Sequence, residues 1–398
     1  MPERNGAKAG GSAAGGSEVR SAAGPSNPVE LFGKYSNLFA AAGDEDELRA
    51  AIREDLKGCV DELGVNPLGN LTAIKHGKQR DRSVLLTAHM DEVAFMVKSV
   101  EKNGLLRFYT VGGLLSKILV GNAVLVGKAR KPGVVAYKSY HLMSAQERKK
   151  VPDLKELFID IGAGGSEEVK DISPGDYAYF RSEFFTQNGV FFGKAFDDRA
   201  GCAALTSLLR EHAGEGGPAP HNPEPGEPPL TLIAVYTAQE EVGLRGGETA
   251  GFGRGNVAFN LNLEGTTCSD RELKTSYSPV TEIGKGPAIT FMDRTSIADR
   301  RLFEFVAAVA EKEGIPCQLK KGVAGGTDAG AVSLTEAGIP AVTVAVPVRY
   351  IHAPWGIVHS DDFEHYLQLA RAVVRRAAEF TAPSLRGPVH GPSSRAEG

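Results

Sequence analysis

The stretch "TAQEEVG" (237–243) places two adjacent carboxylates, Glu240 and Glu241, directly after the apolar run "LTLIAV". At the end of a buried strand such a pair repels itself and loses hydration unless a proton or a cation compensates. One glutamate could ligate a metal while its neighbour moves protons; a solvated loop is the plainer reading. Other apolar runs end in a similar way. "SVLLTA" leads into "HMDEV", where His89 and Asp91 are two residues apart and so point to one side of extended chain. A carboxylate in that position suits a metal-binding imidazole whose second nitrogen needs an acceptor. "GKAFDDRAG" puts Asp197 and Asp198 at a helix start, where capping and the helix dipole favour aspartate without any further function. "VAFNLNLEGTT" delivers Glu264, and "VPVRYIHAPWGIVHSDD" delivers His352 with His359 nearby. Taken singly, each reads as an ordinary polar residue at the end of an element.

Jointly they point elsewhere. Ligands of open α/β sheets bind outside the carboxyl ends of the strands, and here four strand ends and one helix start offer His, Asp or Glu. Two imidazoles and three or more carboxylates can hold two divalent ions about 3.5–4 Å apart on a shared carboxylate. Cys59, Cys202, Cys268 and Cys317 form no CxxC and none joins the set, which favours zinc, cobalt or manganese over iron–sulfur chemistry. The HExxH helix, the GxxxxGK[ST] phosphate loop and the GxSxG elbow are absent from the sequence. The Gly-rich "GVAGGTDAG" (322–330) opens a helix that could bind an anion, or Asp328 within it could face the metal pocket. A glycosidase built on Glu240 and Glu241 is hard to arrange. Its two carboxylates must stand about 5 Å or more apart on opposite sides of a sugar, whereas neighbours on a strand point in opposite directions.

The elements that would position these groups form an α/β pattern. "SVLLTA", "LTLIAVYTA", "VAFNLNL" and "PAVTVAVP" are short, near-continuous apolar runs, as expected of strands buried on both faces. Helical spacing predicts helices over "DEDELRAAIREDLKGCVDEL", "DDRAGCAALTSLLREH", "RRLFEFVAAVAEKEG" and "TDAGAVSLTEAG", the last two closed by Gly314 and Gly338. Ser360 is placed to cap the final helix. Residues 105–187 differ: rich in Gly and Val, with short alternating runs such as "GNAVLVGKA" and "GDYAYF", they read as a small β-rich domain inserted into the α/β unit (28–104 and 188–382). The Gly/Ala/Ser-rich residues 1–27 and the tail 383–398 are expected to be disordered, and 214–229 to be a surface loop.

Composition excludes several classes. A net charge of −4 advertises neither nucleic acid nor a membrane surface. No apolar run approaches the roughly 18 residues of a membrane span, and the N-terminus lacks the apolar centre of a secretory signal. Scattered cysteines fit reduced thiols and a cytoplasmic protein.

The ordered set "TAHMDEVAFMV", "GKAFDDRAG", "AQEEVGLRGG", "NLEGTT", "GGTDAG" and "RYIHAP" resembles the tetrahedral (TET-type) zinc aminopeptidases, some of which carry the labels glutamyl aminopeptidase or endoglucanase. The resemblance covers about residues 30–380, including the insert through "RFYTVGGLLSKILVGNAVLVGK" and "ELFIDIGAGGSEE". It implies a mixed, mainly parallel sheet flanked by helices, of the zinc exopeptidase kind, with a small inserted β-barrel used in dimerisation. It further implies two divalent ions per chain, one on His89, Asp197 and Glu264, the other on Asp197, Glu241 and His352. Glu240 would be the general base and Asp91 would orient His89. The family position matched by Glu264 is often aspartate, so the longer side chain would alter the geometry there. The implied activity is removal of N-terminal residues from peptides by a homo-oligomer, built from dimers up to a tetrahedral dodecamer. A metal-dependent deacylase of acylated amino acids would share the whole site, and a non-catalytic scaffold with a vestigial site is the remaining alternative.

Overall fold

The computed structural model describes residues 27–213, 226–271 and 279–381. The segments expected to be disordered, apart from Asn27, and most of the expected 214–229 loop, lie outside them. Four parallel strands form the middle of an eleven-stranded sheet, in the order Leu230–Thr237, Gln79–His89, Val257–Cys268, Ala341–Arg349. Antiparallel strands extend it on both sides, ending at Glu62–Val65 and Phe185–Gln187. The central runs read as near-continuous apolar sequence because both faces are covered. Leu232, Ala234 and Tyr236 enter the large core under Pro28–Asn37, Phe196–Glu211, Arg300–Glu313 and Ser360–Arg375. Their alternates Ile233 and Val235 pack on the other face with Ala250 and Val332, from the short helices Gly247–Ala250 and Asp328–Ser333.

Six antiparallel strands, from Ala94–Val100 to Tyr177–Phe180, close into a barrel. Period-two side chains fill it: Phe95 and Val97, Leu106 and Phe108, Val124 and Val126, Ala178 and Phe180. Phe95 lies edge-on to Phe108 and to Phe180, each 5.1 Å away. The barrel therefore begins earlier than the 105–187 insert read from composition. The Ala94–Val100 strand belongs to it because Phe95 and Val97 alternate into its core. At the other end, Phe185–Gln187 pairs with Val190–Gly193 in the main sheet. The barrel is tied down by Tyr177, whose hydroxyl donates to the Ala42 carbonyl at 2.9 Å, and by Tyr179, which donates to Asp44. Arg130 stacks over Phe39 and Tyr179 and pairs with Glu47 at 3.0 Å.

Three local expectations change. The helix expected over 44–63 is Asp46–Asp55 only, since Gly58 adopts φ +76° and Glu62–Val65 pairs as a strand with Leu71–Lys75. The helix expected to run to Gly338 stops at Ser333, where Ser333 and Thr335 hydroxyls bond back to the Gly330 and Val332 carbonyls. His359, not Ser360, caps the last helix: its Nδ1 accepts from the Asp361 N–H at 3.2 Å, while Ser360 Oγ donates to Gly189. The Arg300–Glu313 helix ends as expected, on Gly314 at φ +64°, and begins on Asp299, which accepts from the N–H groups of Arg301 and Leu302.

Candidate metal centre

His89 closes its strand in register with Thr237, so the chain carrying Glu240 and Glu241 turns across the carboxyl end of the sheet just beyond it. Gln239, at φ +61°, makes that turn. The N–H groups of Glu240 and Glu241 then donate to the two oxygens of Asp91, at 2.9 and 3.0 Å. One buried carboxylate thus anchors both glutamates by their backbone. His89 Nδ1 donates to the Asp91 carbonyl at 2.9 Å, and the nearer carboxylate oxygen is 3.6 Å away. That carboxylate thus serves the glutamate turn while standing beside the His89 ring, whose shorter contact is to the main-chain carbonyl.

Asp197 follows Ala195, a left-handed residue at φ +55°, and its own torsions are not helical. Its Oδ1 lies 3.2 Å from His89 Nε2 and its Oδ2 3.3 Å from His352 Nε2. Asp198 Oδ1 accepts from the Gly201 N–H at 2.8 Å and Oδ2 from the His89 N–H at 3.2 Å, so the capping reading suits this aspartate, which also keeps an oxygen within 4.8 Å of ligand atoms of Asp197 and Glu264. Glu264 does not end a strand, as its sequence position suggested, but lies inside Val257–Cys268, because pairing with Ala341–Arg349 continues to Cys268. Asn262 pairs with Thr87, which sets Glu264 level with His89 two residues further along each strand. Glu264 Oε1 is 3.1 Å from His89 Nε2, and its Oε2 accepts from Asn262 at 3.2 Å. His352 (φ +57°) stands 3.2 Å from Glu241 Oε1, while its Nδ1 donates to the Gly113 carbonyl of the barrel at 3.1 Å. Glu240 Oε2 lies 4.0 Å from His89 Nε2.

Ligand atoms lie within 4.8 Å of one another in three overlapping groups, His89–Glu240–Glu264, His89–Asp197–Glu241 and Asp197–Asp198–Glu264, and His352 Nε2 reaches Asp197 and Glu241 from the side. Burial pulls the His352 imidazole down, but Glu241 and Asp197 outweigh it and lift it to about 11. Burial likewise opposes the charge on His89, yet Glu264 and Glu240 raise it well above the ordinary range. Burial lifts the carboxyls of Glu240, Glu241 and Glu264, the last to about 8. Asp197, buried but hydrogen-bonded to both imidazoles, is held below the usual range. This crowd of buried carboxylates calls for cations. The donor set fits them: each imidazole has its Nδ1 committed to a carbonyl, leaving Nε2 for a metal. Glu241 Oε1 is buried without a hydrogen-bond partner.

Asp328 sits just behind, accepting from Thr237, and burial lifts it to about 6. The helix it opens is only six residues long. His359 is occupied as a cap. Sequence reading missed the Gly113 carbonyl, which carries no side-chain signal. It also missed a buried ionic cluster beside the centre. Lys194 Nζ pairs with Glu92 at 2.7 Å and Arg199 Nη2 with the same carboxylate at 3.0 Å, with all three side chains at most 2 % exposed. Its signal was present: three charges embedded in the quoted "HMDEV" and "GKAFDDRAG".

A sheet whose parallel strands deliver histidines and carboxylates to one pole, beside an inserted barrel, defines a metallohydrolase of the exopeptidase kind. Residues 69–369 match the family model for M42 glutamyl aminopeptidase, and the chain belongs to that family. It is a metal-dependent aminopeptidase, a hydrolase of N-terminal peptide bonds. It is 34% identical to a provisionally named aminopeptidase of Acetivibrio thermocellus over 85% of this chain and 96% of that one. It is 27% identical to the lysyl aminopeptidase of Pyrococcus furiosus, over 88% and 99% of the two chains. Among solved structures, a TET aminopeptidase from a marine sediment archaeon of the Thaumarchaeota superposes with a TM-score of 0.82 at 35% identity, covering 89% of this chain and 99% of that one. The Pyrococcus horikoshii TET1 peptidase, described as assembling into a tetrahedron or a large octahedral shell, gives 0.74 at 29% identity over 87% and 99%. Among the described residues, no helix is long and apolar enough to cross a membrane.

Proposed function

We propose that this aminopeptidase works through two divalent ions, zinc in the first instance, with Asp197 shared between them. The observation that carries the reading is the split of the Asp197 carboxylate, one oxygen toward each imidazole at 3.2 and 3.3 Å. His89 and Glu264 complete one position; Glu241 and His352 complete the other. When bound, such ions supply Lewis acidity, which acidifies a water and polarises the scissile carbonyl. Glu240, anchored by Asp91 and raised by burial, takes the proton of the attacking water and returns it to the leaving amine. Surplus carboxylate charge at the site favours a substrate with a free, cationic α-amine, which restricts cleavage to the first residue. The protein acts in the cytoplasm on peptides and assembles from copies of itself, with the barrel in contact between copies. The test is elemental analysis of metal-saturated protein. Wild type should hold two ions per chain and Asp197→Ala fewer, with turnover lost. Undiminished metal and turnover in Asp197→Ala would remove the shared-carboxylate reading.

A further inference from the structure

The barrel reaches into the metal centre through one turn. Gly112 and Gly113 follow the barrel strand Leu106–Val111 and are bracketed by two buried anchors, Val111 at the junction with the main domain and Leu114 in the barrel core. Each glycine faces a different member of the His352–Asp197–Glu241 group. A Cβ on Gly112 would lie 3.2 Å from both Cβ and Oε2 of Glu241, and 2.8 Å from a Val93 methyl. A Cβ on Gly113 would lie 3.2 Å from His352 Nδ1, the nitrogen that donates to the Gly113 carbonyl. Two consecutive residues without side chains therefore back Glu241 and His352. The carbonyl fixes which nitrogen of His352 carries its proton, and so which one faces the cation.

We propose that the Gly112–Gly113 turn of the inserted barrel is a positioning element of the second metal position, setting the tautomer of His352 and the seat of Glu241. This rests on the reading of Asp197, Glu241 and His352 as ligands. The barrel is then more than a platform for assembly: one of the two ions depends on it. Displacement of such supporting groups typically weakens metal binding about 10–100-fold.

The measurement is zinc affinity and stoichiometry of the full, metal-stripped chain, by competition with a chromophoric chelator. Gly113→Val keeps the carbonyl and adds bulk against His352, with no left-handed backbone to strain. Gly112→Ala adds a methyl against Glu241 at a left-handed position (φ +82°). Gly121→Ala is the control, since Gly121 lies in the same barrel at φ +88° with nothing within 4 Å of its Cβ. Circular dichroism confirms that each variant is folded. The expected result is loss of about tenfold or more in affinity for one of the two ions in Gly113→Val and Gly112→Ala, and wild-type binding in Gly121→Ala. His352→Ala separates the two levels of argument. If it loses one ion while Gly113→Val binds both as wild type does, the positioning role is overturned and the ligand assignment stands. If His352→Ala itself retains both affinities, the assignment fails and the positioning role with it.

Discussion

Glu240 and Glu241 are neighbours held by one carboxylate, yet their side chains meet different surroundings. Glu241 Oε1 is 3.2 Å from His352 Nε2, whereas Glu240 stands back at 4.0 Å from His89 Nε2. Asp91 makes the difference possible by accepting from both N–H groups, which fixes the turn so that the two side chains diverge. At this scale the proposal separates the pair. Glu240→Gln is nearly isosteric and cannot take a proton, so it should keep fold and metal while turnover falls about 10²–10⁴-fold. Glu241→Gln should instead release one ion. Steady-state kinetics beside metal analysis of the two variants decides the point, and exchanged phenotypes would reverse the assignment.

The loops that carry the centre are fixed to one another by charge. Glu92 belongs to the same loop as Asp91, and Lys194 and Arg199 flank Asp197, so their buried cluster ties the two loops together. It also fastens the N-terminal segment: Arg199 donates to the carbonyls of Tyr35, Leu38 and Ala40, and Lys194 to that of Leu38. Burial pulls the Lys194 ammonium down to about 8 against the opposing pull of Glu92. Removing one member of a buried ionic set is strongly destabilising because it leaves charge uncompensated. Glu92→Gln leaves two cations facing each other and should cost about 3–5 kcal/mol in urea unfolding. A loss below about 1 kcal/mol, the range of exposed ion pairs, would mean that water reaches the cluster.

Across the whole molecule, the barrel exposes apolar side chains that a lone chain has no reason to keep in water, among them Tyr109, Leu115, Ile118 and Val120. Leu115 is 70% exposed and the adjoining Leu114 is buried, so the segment after the glycine turn presents one apolar side outward. On the proposed assembly from copies of the chain, contact on this surface would account for it. Leu115→Glu combined with Val120→Glu should lower the particle mass seen by light scattering while leaving circular dichroism unchanged. An unaltered assembly would place the interface on another face.

What sequence alone could determine were the strands and the kinds of residue at their ends. Apolar runs buried on both faces have no polar alternation to obscure them, so "LTLIAV", "SVLLTA" and "PAVTVAV" were legible as central strands and their polar ends as one pole of a sheet. The grouping of His89, Asp197, Glu240, Glu241, Glu264 and His352 followed from the same pattern, and the resemblance supplied the pairing that spacing left open. Tertiary structure alone decided which atoms meet. Asp197 and Asp198 are indistinguishable as letters; a left-handed Ala195 and non-helical torsions send one carboxylate to the imidazoles and the other to a helix cap. Asp91 has the spacing of a histidine partner, but only the fold shows that its oxygens also accept two backbone N–H groups from a turn about 150 residues later in the chain. The acceptor for His352 is a carbonyl in a different domain, and main-chain groups are the same at every residue, so only the folded chain selects Gly113.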